Sequence, residues 1–413
     1  MRERLLNRFL KYVKIYTPSD ADSSASPSSE CQLDLAHALE EEMKALGISG
    51  VYVDENGYVY GYLPATAGLE DAPKVGFLAH MDTVSDFCTK PVTPLVHENY
   101  DGEDIFLPAG NRTISVKDYP HLSERKGRTV ITSDGTTILG ADDKAGIAEI
   151  MTMADELIKS NVSHGRISIA FTPDEEIGSG AEKLDLTRFG ADFAYTADGD
   201  LEGGLEFETF NAASAIVEIH GVNVHPGSAK DIMINSASVA CEFQGLLPES
   251  EQPRSTSGYE GFYHLIELSG NVEKTTMKYI IRDHDRDLFE KRKRTFDTLS
   301  DSLNEKYGSG TVSVKVTDSY YNMKEILKDH MELIDYAKQA IKEVGLEPRI
   351  KPVRGGTDGA RLSFRGLPCP NLGTGGAAFH GPYEHITLEG METAVRILLN
   401  LVKITSGQKP DAK

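Results

Sequence analysis

Cysteine is scarce in this 413-residue sequence, and no two cysteines form a CxxC pair. Widely spaced cysteines in a chain of this length argue against a disulfide framework and fit reduced, mostly packed thiols in a reducing compartment. The four cysteines are Cys31, Cys88, Cys241 and Cys369.

Long apolar runs are also missing, since no stretch approaches the roughly 20 apolar residues that a membrane-spanning helix needs. The apolar residues of the N-terminal segment recur at helical spacing, are interrupted by Arg8, Lys11 and Lys14, and precede no small-residue cleavage site. We therefore expect an amphipathic first helix rather than a signal peptide, no membrane partner, and a cytoplasmic location.

A surplus of basic residues is absent as well. The chain has 43 Lys and Arg against 64 Asp and Glu, which gives a formal charge of −21. A negative field of this size repels phosphate backbones, and no basic run offsets it. Nucleic acid is therefore excluded as an expected partner.

The length favours two domains, because a single core rarely extends over so many residues. Apolar strands alternate with helices over 1–210 and again over 321–413, which indicates a largely parallel sheet covered by helices. The segment 211–320 instead reads as strand, helix, two strands, long helix and strand. We predict an α/β domain with a mixed, largely parallel sheet, interrupted by an inserted α+β domain at 211–320.

Groups able to bind metal follow the apolar strands, at the sheet edge where ligands bind in open α/β sheets. The segments that contain them are FLAHMDTV (His80, Asp82), ILGADDKAG (Asp142, Asp143), AFTPDEEIGSG (Asp174, Glu175, Glu176), AYTADGD (Asp198) and GTGGAAFHGPYEH (His380). Each segment alone also fits a turn, a helix cap or a solvated loop. Together they provide the mixture of imidazole and carboxylate that suits zinc.

Adjacent carboxylates suggest a division of labour at this site. Asp174, Glu175 and Glu176 repel one another, and a cation would relieve that repulsion. Two neighbouring acids can then differ in role, one holding metal and one moving protons. A non-catalytic protein with structural metals stays as an alternative, although structural zinc sites are usually rich in sulfur.

These motifs, in this order, resemble those of the aminoacylase-like di-zinc metallopeptidase family, and the likeness covers nearly the whole chain. The resemblance implies a catalytic α/β domain with an inserted lid domain and a cis bond between Asp142 and Asp143. It also implies two zinc ions bridged by Asp142. One zinc would be held by His80 and Asp198, the other by Glu176 and His380.

For function, the resemblance implies an aminopeptidase that removes the N-terminal residue from tripeptides by metal-activated water attack. Glu175 would be the general base, and Asp82 the partner that orients His80. The alternatives within the family are a dipeptidase and a deacylase of N-acyl amino acids.

The resemblance extends to the inserted domain. His225 corresponds to a histidine that donates to the oxyanion, and Asn271 and Arg282 correspond to residues that bind the substrate carboxylate. Arg354, which precedes GGTDG, is a further candidate for that role. In some relatives the inserted domain mediates dimers, so a homodimer through this domain is a further expectation.

Overall fold

The structure is a computed structural model that describes residues 1–160 and 162–407. The chain packs into two compact units. The first comprises Met1–Phe207, Ile326–Lys351 and the chain from Thr357 onward, and the second comprises Glu208–Glu325 and Pro352–Gly356. The chain returns briefly to the second unit at Pro352–Gly356, and the sequence pattern does not predict this.

The first unit is built on a mixed sheet, with eight strands among the residues described. In spatial order the strands are β1 (Ser49–Val53), β2 (Val59–Leu63), β8 (Ile167–Thr172), β3 (Val75–His80), β9 (Phe193–Gly199), β16 (Asn371–Gly373), β10 (Gly204–Glu206) and β15 (Arg349–Ile350). The four central strands β8, β3, β9 and β16 run parallel. The pairs β1-β2, β2-β8 and β16-β10 are antiparallel, and β10 and β15 are again parallel. The predicted α/β fold with a largely parallel sheet is confirmed.

Helices cover both faces of this sheet, because β3 and β8 are buried along their whole length and must bury apolar side chains on both sides. The larger core lies under five helices: α1 (Arg2–Tyr12), α2 (Gln32–Leu46), α3 (Ala141–Ser160), α8 (Met331–Glu343) and α10 (Leu388–Ser406). A smaller core lies under α4 (Leu186–Phe189) and α9 (Asp358–Phe364). No helix in the described part of the chain is long and apolar enough to cross a bilayer.

The polar segment 97–128 contains two short strands that pair as a hairpin. Two further short strands flank this segment and join a second small sheet with two strands from the C-terminal region. The short strands are β4 (Leu95–His97), β5 (Ile105–Leu107), β6 (Arg112–Ile114), β7 (Val130–Thr132), β17 (Gly376–Ala377) and β18 (His385–Thr387).

The second unit is an antiparallel sheet of four strands in the described residues, with two helices packed against it. Its strands, in spatial order, are β12 (Phe262–Gly270), β13 (Lys274–Asp283), β11 (Asn211–His220) and β14 (Val312–Tyr320), and its helices are α5 (Ser236–Leu246) and α6 (Arg286–Tyr307). One further helix, α7 (Lys324–Leu327), lies where the chain passes back to the first unit.

Candidate metal centre

The carboxyl ends of three neighbouring strands bring the predicted ligands of the first unit together. His80 is the last residue of β3, Asp198 lies near the end of β9, and Glu176 follows β8 by four residues. The parallel order β8-β3-β9 places these ends side by side at one edge of the sheet.

A glycine allows helix α3 to approach this edge closely. A Cβ atom at Gly146 would lie 1.9 Å from the carbonyl oxygen of Ala197, the residue before Asp198. Only glycine tolerates such an approach of two backbones. The contact places Asp142 and Asp143, at the start of the same helix, beside the end of β9, and the peptide bond between these two residues is cis.

Asp142 lies between two imidazoles. His80 Nε2 is 2.9 Å from Asp142 Oδ1, and His380 Nε2 is 3.1 Å from Asp142 Oδ2. Each histidine also contacts a second carboxylate, since His80 Nε2 lies 3.3 Å from Asp198 Oδ1 and His380 Nε2 lies 3.2 Å from Glu176 Oε2. The five predicted ligands therefore form one continuous cluster with Asp142 at its centre.

Two groups of side chains in the described residues are close enough to hold a metal ion. The first is His80, Asp142 and Glu176, and the second is His80, Asp143 and Asp198. Asp143 was not predicted as a ligand. Its carboxylate accepts hydrogen bonds from the backbone N–H of His80 at 3.1 Å and of Gly146 at 3.2 Å, so it also joins β3 to α3.

The cluster is largely buried except for the half-exposed His380, and its charges perturb one another. Burial raises the pKa of Asp198 to about 7. Hydrogen bonds to Asp142 and Glu176 raise the pKa of His380 to about 11. Burial opposes the charge of Asp142, but hydrogen bonds from His380 and His80 outweigh it and hold its pKa below the usual range. The carboxylates thus lie in a field that stabilises positive charge among them.

The donor set fits a divalent metal of the zinc type. Imidazole nitrogens and carboxylate oxygens are both zinc ligands, and imidazole favours zinc over magnesium or calcium. In addition, Glu176 Oε1 is buried and accepts no hydrogen bond in the described structure. A buried carboxylate oxygen without a partner is costly, and a metal ion beside it removes that cost.

Glu175 belongs to the same site but differs in its contacts. It lines a small cavity with His80 and Asp198. Burial, followed by the charge of Asp198, raises the pKa of Glu175 well above its usual range. A carboxylate with a raised pKa is a stronger proton acceptor, which is the property needed in a general base.

Asp82 contacts the His80 ring, as the sequence predicts, and has further partners. His80 Nδ1 lies 3.0 Å from the carbonyl oxygen of Asp82 and 3.4 Å from its carboxylate. The carboxylate accepts hydrogen bonds from the backbone N–H of Glu175 at 2.9 Å and of Glu176 at 3.1 Å. Asp82 therefore orients the histidine through its backbone and the two glutamates through its side chain.

Asp174, the first acid of the DEE triplet, has a structural role. Asp174 is buried and accepts hydrogen bonds from the Ser28 backbone and hydroxyl and from the Gln32 amide. It thus ties the serine-rich segment before α2 to the end of β8. Since it points at these donors, its role in the site is to fix the backbone before Glu175.

One site residue was missed by sequence reasoning. Glu384 is buried, and its carboxylate accepts from the backbone N–H of Leu139 and Gly140 at 2.7 Å and of Asp142 at 3.0 Å. It holds the turn that presents Asp142. The available signal was its position in AFHGPYEH, four residues after His380.

The remaining predicted residues lie in the second unit. The ring of His225 accepts from the backbone N–H of Gly227 at 3.1 Å, and Asn271 accepts from the backbone N–H of Glu273 at 2.8 Å. Both side chains therefore help to shape turns. Arg282 lies over the ring of Tyr320 and donates to the carbonyl oxygen of Ile281 at 3.1 Å.

Arg354 is more fully engaged within the second unit. Its guanidinium donates to the carbonyl oxygens of Gly258 and Glu260 at 2.8 Å each and to the Thr256 hydroxyl at 2.9 Å. It also stacks over Phe210, 5.1 Å from the ring centroid. These contacts give Arg354 a structural role in joining Pro352–Gly356 to this unit.

Comparison with known proteins gives concordant results. Residues 133–404 match the model of the Peptidase family M20/M25/M40. A protein named Peptidase T from Clostridium novyi is 52% identical over 98% of this chain and all of the relative.

Two solved structures share the fold. An aminopeptidase PepT from Bacillus cereus has a TM-score of 0.78 at 23% identity and covers 98% of this chain, matching 99% of its own. A tripeptidase from Staphylococcus aureus has a TM-score of 0.79 at 24% identity and covers 99% of both chains. The chain therefore belongs to the Peptidase family M20/M25/M40 and is a peptidase.

Proposed function

We propose that this peptidase is a two-zinc aminopeptidase that removes the N-terminal residue from tripeptides. The observation that carries the proposal is the position of Asp142, whose two oxygens face His80 and His380. A carboxylate shared in this way can bridge two metal ions. The relatives named Peptidase T and tripeptidase support the substrate class.

In this proposal Asp142 bridges the two ions. His80 and Asp198 hold one of them, and Glu176 and His380 hold the other. All five side chains lie in one cluster, and none of the four thiols belongs to either metal-binding group found in the described residues. The absence of sulfur from these groups favours a catalytic over a structural role.

When bound, two zinc ions supply Lewis acidity that makes a water nucleophilic near neutral pH and polarises the peptide carbonyl. Glu175 takes the proton of the attacking water, and its raised pKa suits that role. The same carboxyl group then gives the proton to the leaving amine. Asp82 fixes Glu175 through the hydrogen bond from its backbone N–H.

The two ends of a peptide substrate carry opposite charges, so the protein groups that bind them must also be of opposite charge. The acidic surroundings of Asp198 favour a free α-ammonium group over a blocked N-terminus. We propose that Arg282 binds the carboxylate at the other end, together with Asn271. Arg354 is less suited to this role, because its guanidinium already donates to Gly258, Glu260 and Thr256. His225 is proposed to donate to the oxyanion.

A substrate panel tests this proposal. Release of free amino acid is compared for one unblocked tripeptide, its N-acetyl form, the corresponding dipeptide and a hexapeptide. We expect the unblocked tripeptide to have the highest kcat/KM. Preference for the acetylated form would indicate a deacylase, and preference for the dipeptide would indicate a dipeptidase.

Two further features belong to the proposal. The chain acts in the cytoplasm, as its unpaired cysteines suggest. It forms a homodimer through the edge strand β12, on which Ile266 and Leu268 are about half exposed. Sedimentation of the wild-type protein and of Leu268→Glu tests the dimer, and a wild-type monomer would contradict it.

A further inference from the structure

An aminopeptidase must bind the α-ammonium group of its substrate, and the carboxylate that does so has to be free for that purpose. Most carboxylates around the metal cluster already have partners in the first unit. Those with partners are Asp82 and Asp143, which accept from backbone N–H groups, Asp198, which faces His80, and Asp358, which accepts from the Thr172 hydroxyl at 2.7 Å.

Glu206 is a carboxylate on the same face of the sheet. Its Oε2 accepts a hydrogen bond from the Asn371 amide, but no donor among the described residues bonds to its Oε1, and its side chain is partly exposed whereas Asp358 is buried. Thr196 lies two residues before Asp198 on β9, so the two side chains leave the same face. Thr196 pairs in register with Asn371 on β16, and Asn371 pairs with Glu206 on β10. Glu206 thus lies two strands from Asp198, roughly 10 Å away at the backbone.

Hydrogen bonds along this row orient the carboxylate. The Thr196 hydroxyl donates to Asn371 Oδ1 at 2.9 Å, and Asn371 Nδ2 donates to Glu206 Oε2 at 2.7 Å. Asn371 is itself buried, so its amide is fixed in one orientation. One oxygen of Glu206 is therefore held in place, and the group does not depend on a flexible surface rotamer.

The described residues include no cationic side chain within 4.0 Å of Glu206. Lys351, whose charge acts on Glu206, pairs with Asp200 at 3.4 Å instead. Burial, and then the charge of Asp200, raise the pKa of Glu206 to about 8. An ammonium group placed beside Glu206 would stabilise its ionised form.

We infer that Glu206, oriented by Asn371, binds the α-ammonium group of the peptide substrate and so selects for a free N-terminus. This inference rests on the proposed aminopeptidase function. It assigns the recognition of the amine to a carboxylate outside the metal cluster, because a carboxylate that holds metal has already used its charge. The contact is a charge-assisted hydrogen bond with a defined acceptor, rather than a general negative field.

Glu206→Gln tests the inference with little change in shape, because a glutamine oxygen can still accept the hydrogen bond from Asn371. The matched control is Asp200→Asn, which removes a neighbouring negative charge that already has a lysine partner. Inhibition constants are measured for two peptide analogues of equal size, one with an N-terminal ammonium group and one in which hydrogen replaces that group.

We expect the wild-type protein to bind the ammonium analogue about ten- to a hundredfold more tightly than the des-amino analogue. Glu206→Gln should lose this preference and keep its affinity for the des-amino analogue, whereas Asp200→Asn should keep the preference. For tripeptides, the KM of Glu206→Gln should rise more than its kcat falls. Unfolding curves and metal content check that each variant is folded and loaded.

Three results would overturn the inference. Retained preference in Glu206→Gln would show that the amine is bound elsewhere, and equal weakening of both analogues would show a purely structural role. An equal loss of the preference in Asp200→Asn would show that a general negative field, and not a specific contact with Glu206, selects the ammonium group. Failure of the proposed function has a separate signature, since the wild-type protein would then release no amino acid from any tripeptide.

Discussion

The backbone N–H of Glu175 donates a hydrogen bond to the carboxylate of Asp82 at 2.9 Å, so the second residue after strand β3 fixes the position of the proposed general base. Asp82 is fully buried and accepts from Glu176 as well. The histidine ligand and the proton-transfer residue are therefore joined through a single residue, whose backbone contacts the histidine ring and whose carboxylate accepts from Glu175.

Asp82→Asn is expected to impair both stability and turnover. An asparagine places an N–H₂ group opposite one of the two backbone N–H donors, which leaves that buried donor unpaired. The free energy of unfolding should fall by about 1–3 kcal/mol. Urea unfolding and kcat are measured together. Wild-type values for both would contradict the positioning role.

Glu175→Gln and Glu176→Gln should separate the base from the ligand. Glu175→Gln should retain both metals and lower kcat by about 10²–10⁴-fold, because it removes only general base catalysis. Glu176→Gln should instead lower metal content. Elemental analysis and steady-state kinetics of the two variants are compared. Near-normal turnover in Glu175→Gln would show that the roles are wrongly assigned.

Two divalent metals per active chain are expected. Five candidate ligands are too many for one tetrahedral zinc, and the two carboxylate oxygens of Asp142 face two different imidazoles. Prolonged chelation should abolish activity, and added zinc should restore it. Elemental analysis that finds at most one metal per fully active chain would contradict the two-metal proposal.

A buried histidine outside the metal cluster predicts a loss of stability in acid. His385 Nδ1 donates to the Tyr383 carbonyl oxygen at 2.8 Å, and His385 Nε2 lies 2.8 Å from His121 Nε2. Burial lowers the pKa of His385 to about 4. In the unfolded chain this histidine binds a proton below about pH 6.5, whereas in the folded chain it stays neutral down to about pH 4. Its contribution to folding stability is therefore complete above pH 6.5 and is lost as the pH falls towards 4.

His385→Asn should flatten this dependence, because the asparagine amide can still donate to the Tyr383 carbonyl but does not titrate. The difference between the wild type and the variant should change by up to about 3 kcal/mol between pH 6.5 and pH 4. The exposed His37→Asn serves as the control and should keep the wild-type slope. Parallel curves for the wild type and His385→Asn would contradict the prediction.

Much of the arrangement could be predicted because strand ends are visible in the sequence. The apolar run before His80 and the run before Asp198 mark buried parallel strands, and their carboxyl ends must meet at one edge. The Asn56-Gly57 pair between two runs of apolar and aromatic residues likewise predicts the antiparallel hairpin of β1 and β2, in which Val53 pairs with Val59.

The details that the sequence did not reveal depend on long-range contacts. A motif shows that Asp82 is near His80, but only the structure shows that the backbone of Asp82 faces the ring while its carboxylate reaches the loop after β8. Glu384 holds a turn more than 240 residues earlier in the chain. No local pattern encodes a hydrogen bond over such a distance.

The most direct test of the account is the identity of the products from one unblocked tripeptide made of three different residues. Wild-type protein loaded with zinc is incubated with the tripeptide, and the initial products are identified by mass spectrometry. The account predicts the free N-terminal amino acid and the C-terminal dipeptide as the first products. The free C-terminal amino acid with the N-terminal dipeptide, or an uncleaved tripeptide, would contradict it.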